Sequence, residues 1–450
     1  MADIDLLITG ATVVSSQGRR PAHVAVRDGR VLTLDGADLS AARTIDATGL
    51  LLLPGGVDTH VHLMDPGSTD REDFPSGTRA AAVSGVTTII EHSHGRPVRT
   101  VADLQEKAAY LRGRSNVDFA LAAHAWPGDT AAVAALRQAG AAFFKVFTCT
   151  THGIPGHDAA ALHAHLRASA EAGAVSLIHA EDESLTAAAE TLLRSAERHD
   201  PGVIPAWRNR DAEVVAAAVT ALLVRRTGAQ AVVAHVSHPE VARYIAAERG
   251  RGARLHAETC PQYLLLREDE VHAHGAFRKF TPPARARHEA DEAALWELLR
   301  DGGLTHISSD HAPSTAAQKT SGDIWDVHFG LPGLDSTMAV LLSAAARGMI
   351  AYEDIARLYS ETPARIYGLW PRKGRIAPGA DADLVLVDPT ARWTLRNADV
   401  FSKAGWTPYD GKEMTGRAVA TYSRGRLISE HGKPADERTG QIIAPGGPAA

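Results

Sequence analysis

The sequence predicts an α/β protein, a (β/α)8 TIM barrel that carries a small β-sandwich formed by both chain ends. Across the middle of the chain, eight short apolar strands alternate with Ala-rich amphipathic helical segments, and eight parallel strands close such a barrel. Both ends instead contain short alternating strands broken by turns. The 450 residues, 45% of them hydrophobic, are enough for one large barrel and a small second unit.

Changes in this pattern along the chain predict the domain boundaries. Residues 1–53 form the N-terminal part of the β-sandwich, with the strands DLLITGATVVS, AHVAVRDGRVLTLDG and RTIDATGLLLLPG. Residues 54–371 form the barrel. Residues 372–440 return to the β-sandwich through GRIAPGADADLVLVD and AVATYSRGRLISEHG. Residues 441–450, IIAPGGPAA after Gln441, are expected to be a disordered tail.

The predicted barrel strands carry polar residues where they end. In chain order the strands close on VDTHVH, TTIIEH, DFALAAH, AFFKVFT, VSLIHAE, AVVAHVS, RLHAETC and THISSDH. Each is followed by a loop and a helical pattern. Because active sites of this barrel lie at the carboxyl ends of the strands, these residues are the candidates for function.

Composition and charge narrow the classes of partner. The net charge is -6 with no long basic block, so we expect no nucleic-acid partner. No apolar run approaches 18 residues and the N-terminus lacks a basic n-region, so we expect a cytoplasmic protein without a membrane partner. Only Cys149 and Cys260 are present, which is too few for a disulfide framework or a cysteine zinc site.

Two motifs point to metal chemistry. His60 and His62 lie at positions i and i+2 of the first barrel strand, so both side chains point to the same side. Alone, this spacing is more often two unrelated histidines. Lys145 lies inside the apolar strand AAFFKVF, where a buried unpaired ammonium is costly. Either Lys145 pairs with a carboxylate or reaches the strand end, or its amine has reacted with carbon dioxide to give a carbamate that bridges two cations.

Three further strand ends complete the candidate set. His179 ends the fifth strand, His235 the sixth and Asp310 the eighth, so the fold brings all six residues to one rim. Four imidazoles, one carboxylate and one potential carbamate suit a borderline divalent ion, zinc first, with manganese, cobalt, nickel or iron left open. This number of ligands fits two ions better than one.

The motifs resemble those of the amidohydrolase superfamily, specifically its dihydroorotase, hydantoinase (dihydropyrimidinase) and allantoinase group. PGGVDTHVHL, FFKVF, IHAE, AHVS, ETCPQYL and SDHAP occur in the group's order, and the resemblance covers nearly the whole chain. GRIAPGADADLVLVDP resembles the group's return into the sandwich. The closing segment YDGKEMTGRAVATYSRGRLI is most similar to allantoinases and dihydroorotases, so an allantoinase-like member is expected.

The resemblance implies a role for each ligand. His60, His62 and Asp310 would bind the more buried ion, His179 and His235 the more exposed one, and carbamylated Lys145 would bridge them. Asp310 would also take a proton from the attacking hydroxide and pass it to the leaving ring nitrogen. The implied reaction is hydrolytic ring opening of a small cyclic amide or ureide by a homotetramer or homodimer. His311 would either orient a neighbouring group or serve the turn after the strand.

Departures from the group affect the substrate-binding residues. Thr150 lies where hydantoinases usually place a tyrosine, and His92 and His94 replace the Met-Pro motif of allantoinases and dihydroorotases. For these two histidines, as for His124 and His152, pocket lining and a solvated loop remain equally open. The loops that commonly hold the substrate ring contribute Thr281, Phe329 and Gly330.

Several alternatives compete with an allantoinase-like enzyme. A hydantoinase (dihydropyrimidinase) or a cyclic imide hydrolase comes next. Mononuclear deaminases of the same superfamily lack the bridging lysine, so Lys145 argues against them. A non-catalytic interaction protein would have lost metal ligands, and all six are present. Weak or no dihydroorotase activity is expected because LMDPG follows His62 without the arginine that usually holds the carboxylate; Arg71 is the one substitute nearby.

Overall fold

The computed structural model describes residues 3–446. Its strands are β1 Ile4–Ser15, β2 Gly18–Arg27, β3 Arg30–Thr33, β4 Ala41–Asp46, β5 Leu51–Pro54, β6 Gly56–Val61, β7 Val86–Glu91, β8 Asp118–Leu121, β9 Ala123–His124, β10 Phe144–Phe147, β11 Val175–His179, β12 Gln230–Val233, β13 Leu255–Thr259, β14 His306–Ile307, β15 Leu384–Thr394, β16 Glu413–Ser423, β17 Arg426–Glu430 and β18 Lys433–Pro434.

The helices follow the same alternation. They are α1 Phe74–Ser84, α2 Val101–Leu111, α3 Val133–Gln138, α4 Ala159–Glu171, α5 Glu183–Ser195, α6 Val203–Trp207, α7 Arg210–Thr227, α8 Pro239–Gly250, α9 Pro261–Leu265, α10 Glu270–His274, α11 Glu289–Arg300, α12 Ala316–Thr320, α13 Thr337–Ala346, α14 Tyr352–Ala356 and α15 Thr362–Ile366. Short 3-10 turns occupy Gly275–Arg278 and Asn397–Asp399, and a π turn, Arg357–Glu361, joins α14 to α15. No helix within residues 3–446 is both long and apolar enough to cross a bilayer.

Eight parallel strand positions form the barrel, as the sequence predicts. One sheet runs β6-β7-β8 and a second runs β14-β13-β12-β11-β10-β9. β8 and β9 are two halves of the third barrel strand, interrupted at Ala122. The barrel closes between its first and eighth strands, where the His62 amide donates to the His311 carbonyl at 2.8 Å. The barrel strands are buried on both faces, which explains their nearly continuous apolar runs.

Helix boundaries follow local capping chemistry. α7, for example, begins after Asn209, whose side chain accepts a hydrogen bond from the Ala212 amide, and ends at Gly228 with φ 71°. A side-chain cap of this kind contributes about 1 kcal/mol, and the left-handed φ at the C-terminus favours glycine. The alanines on its inner face allow α7 to pack closely against α4 and α8.

The two chain ends meet in one nine-stranded sheet, which forms the small β-sandwich. Its order is β18-β17-β16-β15-β5-β1-β2-β3, with β4 paired to β1. β5 from the N-terminal part pairs antiparallel with β15 from the C-terminal part, so that Leu52 lies opposite Leu386. β5 ends at Pro54 and the first barrel strand begins at Gly56, so the two units are joined almost directly.

The end of the chain differs from the expected disordered tail. The Gln441 amide donates to an Asp118 carboxylate oxygen at 2.9 Å, and the Ile443 amide donates to the Phe119 carbonyl at 2.8 Å. The Ile443 side chain is buried. Residues 441–446 are therefore held against the beginning of β8, because this part of the strand offers unpaired backbone groups and an apolar contact. Residues 447–450 lie outside the described residues.

Candidate active site

Six predicted ligands converge on one cavity at the carboxyl ends of the barrel strands. The cavity is lined by His60, His62, His94, Lys145, Phe147, His152, His179, His235, Thr281, Asp310, Ala312, Phe329 and Gly330. The strand-end rule thus places the metal-ligand candidates together, although they lie far apart in the sequence.

One group within the cavity consists of His60, His62, Asp310 and Lys145. Asp310 Oδ1 lies 3.2 Å from His60 Nε2 and 3.4 Å from His62 Nε2. Lys145 Nζ lies 3.1 Å from the same His60 nitrogen. Three potential ligand atoms therefore face one point, with the lysine amine beside them.

The second group consists of His179 and His235. His179 Nδ1 lies 3.0 Å from His235 Nε2. Both side chains are buried, and burial keeps the pKa of each below its ordinary value, that of His179 at about 4. Two neutral imidazole nitrogens at this separation match neighbouring ligands of a tetrahedral zinc ion, which lie about 3.3 Å apart.

Polar groups behind the rings fix the direction of three imidazoles. Glu258 Oε1 lies 2.6 Å from His60 Nδ1, and the His92 carbonyl oxygen lies 3.0 Å from His62 Nδ1. Glu181 Oε2 lies 2.7 Å from His179 Nε2. Each contact holds one ring nitrogen and leaves the other directed into the cavity, as is usual for metal-binding histidines.

Sequence reasoning did not assign the two carboxylates behind these rings. Glu181 lies two residues after His179 in IHAE, so it leaves the strand in the same direction, and this spacing is a signal that could have found it. Glu258 lies on β13, and its distance from His60 depends on barrel closure. Glu181 also binds Arg208 at 2.8 Å and Arg285 at 2.5 Å, so its charge is balanced in the buried site.

Two of the ligand candidates have a left-handed backbone. His235 has φ 41° and Asp310 has φ 48°, a conformation that residues other than glycine seldom adopt. Such a conformation costs about 1–3 kcal/mol and is found mainly at functional sites. At His235 and Asp310 this conformation occurs at the carboxyl ends of barrel strands, which agrees with a functional role for this end of the barrel.

Burial makes the amine of Lys145 easier to deprotonate than that of an exposed lysine. Its side chain is 1% exposed, and burial lowers its pKa to about 8, against the opposing attraction of Asp310 and Glu258. No carboxylate within residues 3–446 forms an ion pair with it; its polar contact is His60. The predicted ion pair between Lys145 and a carboxylate is therefore not present in the described part of the chain.

The carboxyl group of Asp310 is held near the histidines of the first group. Burial raises its pKa, while His60 and Lys145 lower it in part. The side chain is 11% exposed, which leaves it access to the cavity. A carboxylate in this position can exchange a proton with a molecule bound in the cavity.

The predicted substrate-binding loops contribute three residues to the cavity wall. Thr281, Phe329 and Gly330 line it, and the Thr281 hydroxyl donates to Glu181 at 3.1 Å. Gly330 has φ 119°, and a Cβ there would overlap the carbonyl oxygen of Ala312. Glycine is thus required for this loop to pass close to the turn after Asp310.

Thr150 lies elsewhere. It is exposed, its amide donates to Glu183, and its hydroxyl accepts a hydrogen bond from the Gly156 amide at 3.4 Å. It does not line the cavity. His152, two residues further along, has φ 56° and lines the cavity instead, because the left-handed turn redirects the loop.

The remaining histidines also have defined positions. His94 lines the cavity and stacks on His152, with ring centroids 4.5 Å apart and planes 10° apart. His92 lies beneath His62, at a centroid distance of 4.3 Å, and does not itself line the cavity. His124 ends β9 and is buried beside them.

His311 serves the turn after the eighth strand. Its Nδ1 accepts hydrogen bonds from the amides of Gly333 at 3.1 Å and Leu334 at 3.2 Å, and its Nε2 lies 3.3 Å from Glu72. These contacts favour the structural alternative for this residue over a role in orienting an active-site group.

Comparisons with known proteins agree with this fold. The model of the family described as "Amidohydrolase family" matches residues 51–409. An allantoinase of Rubrobacter xylanophilus is 36% identical over 454 residues, 99% of this chain and 98% of that protein. A dihydroorotase of Halobacterium salinarum is 35% identical over 395 residues, 85% of this chain and 90% of that protein.

Among solved structures, the L-hydantoinase (dihydropyrimidinase) from Arthrobacter aurescens superposes with a TM-score of 0.94 at 30% identity. The superposition covers 98% of this chain and all of the other. The fold and the cavity thus define a barrel hydrolase with an attached β-sandwich. The chain belongs to the amidohydrolase family, which confirms the predicted family and fold class.

Proposed function

We propose that this protein is a metal-dependent cyclic amidohydrolase that opens a small cyclic amide or ureide, with allantoin-like substrates first. The observation that carries the proposal is the convergence of four histidines, Asp310 and a buried lysine at one cavity, where the lysine has no ion-pair partner among residues 3–446. Relatives named allantoinase, at 31–36% identity, favour the ureide. A hydantoinase (dihydropyrimidinase) activity is the second candidate, because the superposed L-hydantoinase has the same fold.

The donor set fits two divalent ions. His60, His62 and Asp310 would hold one ion, His179 and His235 the other, and a carbamate on Lys145 would bridge them. When bound, two such ions supply a nucleophile from water at neutral pH and polarise a substrate carbonyl. Zinc suits this mixture of imidazole and carboxylate ligands, and the zinc identity and the carbamate are parts of the proposal.

The residues around the cavity then have separate tasks. Thr281, Phe329 and Gly330 hold the ring against the site, and His94 and His152 complete the wall. Asp310 in its ionised form takes the proton of the attacking water and passes it to the leaving ring nitrogen, since cleavage of an amide requires a protonated leaving group. Glu258 and Glu181 keep the rings of His60 and His179 in the required tautomers.

The test is a ring-opening screen on the purified protein, with its metal content measured on the same sample. The panel contains allantoin, hydantoins, dihydrouracil, dihydroorotate, succinimide and simple lactams. Turnover of allantoin or a hydantoin together with about two equivalents of metal would support the proposal. Protein without bound metal that is inert on the whole panel would contradict it.

Dihydroorotate discriminates best among the related reactions. This substrate carries a carboxylate, and no arginine lines the cavity among the described residues. Arg71 instead donates through Nε to the Pro313 carbonyl at 3.1 Å. We therefore propose weak or no dihydroorotase activity. Efficient turnover of dihydroorotate with all other substrates inert would overturn the assignment. A homotetramer or homodimer and a cytoplasmic location complete the proposal.

A further inference from the structure

A separate cluster of three histidines lies next to the active-site cavity. It has no part in the proposed reaction as ligand or proton carrier. His92 directly follows β7, His94 comes two residues later, and His124 ends β9. One ring nitrogen from each lies within 4.8 Å of the others. The ring centroids are 5.7–6.1 Å apart, so the three rings surround a common point.

Their nitrogen atoms lack partners. Within residues 3–446, both ring nitrogens of His92, both of His124 and Nδ1 of His94 are buried without a hydrogen bond. The His92 side chain is 0% and the His124 side chain 4% exposed. Buried polar atoms are nearly always satisfied, and leaving one without a partner is costly. Five such nitrogen atoms in one cluster are available to bind a shared ligand.

A histidine with a structural role has different surroundings. His165 is equally buried, but its Nε2 contacts the hydroxyls of Ser176 at 3.1 Å and Ser169 at 3.2 Å. No comparable hydroxyl or carboxylate contacts the nitrogens of His92 and His124 in the described part of the chain. The difference separates a satisfied core histidine from one whose lone pair is available.

We propose that His92, His94 and His124 form a third divalent metal site, separate from the two-metal centre. Three imidazoles with an open fourth position are a ligand set that zinc accepts. Cobalt and nickel, which also favour imidazole, are suitable probes. The 4.8 Å limit on the nitrogen separations is wider than the about 3.3 Å of a closed tetrahedral site. Rotation of the rings toward the ion would close this difference.

The charges around the site predict its relative affinity. Lys107, the nearest cation of α2, is paired with Glu91, which also accepts the Ser93 hydroxyl, so this pair contributes little net charge. The ligands of the third ion are all uncharged. The centroids of His92 and His94 each lie 4.3 Å from that of His62, so a third dication would be repelled by the other two. The third ion therefore binds last and dissociates first.

The site also has a consequence for the cavity. His94 belongs both to the three-histidine site and to the cavity wall, where it stacks on His152. An ion held there would fix the wall without contacting the reacting atoms. Its removal should change KM more than kcat.

The test compares metal stoichiometry in the full-length protein. Protein purified in chelator-treated buffer is equilibrated with excess zinc or cobalt, freed of unbound ion, and analysed for metal by mass spectrometry. We expect His124→Gln to bind one equivalent fewer than the parent. The matched control His165→Gln also removes a buried histidine and should retain the parental number. Equal metal in parent and His124→Gln would overturn the proposal.

Two additions keep the result interpretable. The thermal unfolding of each variant is followed by circular dichroism, and if His124→Gln does not fold, cobalt titration of the parent decides: a third equivalent with its own visible bands supports the site, and saturation at two contradicts it. Since the readout is a difference of one equivalent, it does not depend on the occupancy of the two-metal centre or on finding the substrate. If His92 instead joined His60 and His62 around one ion, His124→Gln would lose nothing.

Discussion

The two groups of histidines at the barrel mouth differ in what lies behind their rings: three of the four rings proposed to bind two ions have an outer partner, whereas Nδ1 of His235 has none in the described residues. Behind His60 and His179 stand the carboxylates of Glu258 and Glu181, and behind His62 a backbone carbonyl. The rings of His92 and His124 have no such partners in the described residues. A ring whose outer nitrogen is held is already directed toward an ion, whereas an unheld ring must be ordered by the ion itself. The histidines proposed to hold the two ions should therefore bind metal earlier and more tightly than His92, His94 and His124.

Removal of Lys145 should have the largest effect on metal binding by the histidines of the proposed two-metal centre. Lys145→Ala should lose bound metal and activity together, because the anion proposed to bridge the two ions would be absent. We expect the loss to exceed the about 10- to 100-fold that the loss of an outer partner causes. Metal analysis and ring-opening kinetics measure both effects. Partial recovery with acetate or propionate would support replacement of the missing anion.

Lys319→Met is the matched control. Lys319 is also buried, but it donates to the carbonyls of Lys279 and His328, each at 2.9 Å, and has no metal-ligand candidate beside it. The variant should keep its metal. Two equivalents of metal and near-parental turnover in Lys145→Ala would mean that the lysine does not bridge.

Asp310→Asn should be the next most damaging change. It removes the group proposed to carry the proton while leaving the four histidines proposed to bind the two ions, so we expect kcat to fall by about 10²- to 10⁴-fold with at least one ion still bound. Asp335→Asn, which changes a carboxylate that accepts from the Phe401 amide at 2.7 Å, is the control. Parental turnover by Asp310→Asn would exclude the proton transfer.

Glu258→Gln directly tests the role of the carboxylates that contact the histidine rings from behind. The substituted amide would still reach His60 Nδ1 but without the negative charge, and metal affinity should fall by about 10- to 100-fold. Competition with a chelator of known affinity measures the change. An unchanged affinity would show that the difference between the two histidine groups does not arise from the carboxylates.

The pKa of Lys145 provides a test of the proposed carbamate bridge. Carbon dioxide reacts with the neutral amine, and burial lowers the pKa of this amine to about 8. Below that pH the amine is mostly protonated, so reactivation of the metal-free protein at constant dissolved carbon dioxide should accelerate about tenfold per pH unit and level off above it. Activity regained after adding metal gives the rate. A rate that does not change with pH would argue against the carbamate.

The smallest effect should come from Thr150. Its exposed side chain does not line the cavity, and exposed substitutions usually change stability by no more than about 0.5 kcal/mol. Thr150→Val should therefore leave kcat/KM within about twofold of the parent on the best substrate. A much larger loss of kcat/KM would indicate that Thr150, rather than His152, contacts the substrate.

The outcome for these residues shows which parts of a site a sequence can predict. The barrel and the positions of His60, Lys145, His179 and Asp310 follow from strand periodicity and from the rule that strand ends share one face. The loops obey no such periodicity. A left-handed residue in the loop brings His152 rather than Thr150 to the cavity, and nothing in the local sequence specifies that turn.

The sequence did not predict the carboxylates behind the histidine rings or the ordered end of the chain, and the reason is related. Glu258 meets His60 through contacts between distant strands, which no local pattern records. The segment after Gln441 looks disordered by composition, yet β8 offers it free backbone groups and room for Ile443. Both depend on surfaces that exist only once the barrel has closed.

That final segment also links two parts of the molecule mechanically. The chain leaves the β-sandwich after β18 and is pinned at Phe119, near the start of the third barrel strand and away from the strand ends that carry the cavity. A deletion that removed residues 440–446 would open a backbone edge on the barrel without touching a ligand. Shortening the chain for crystallisation should therefore keep this anchor, residues 440–446.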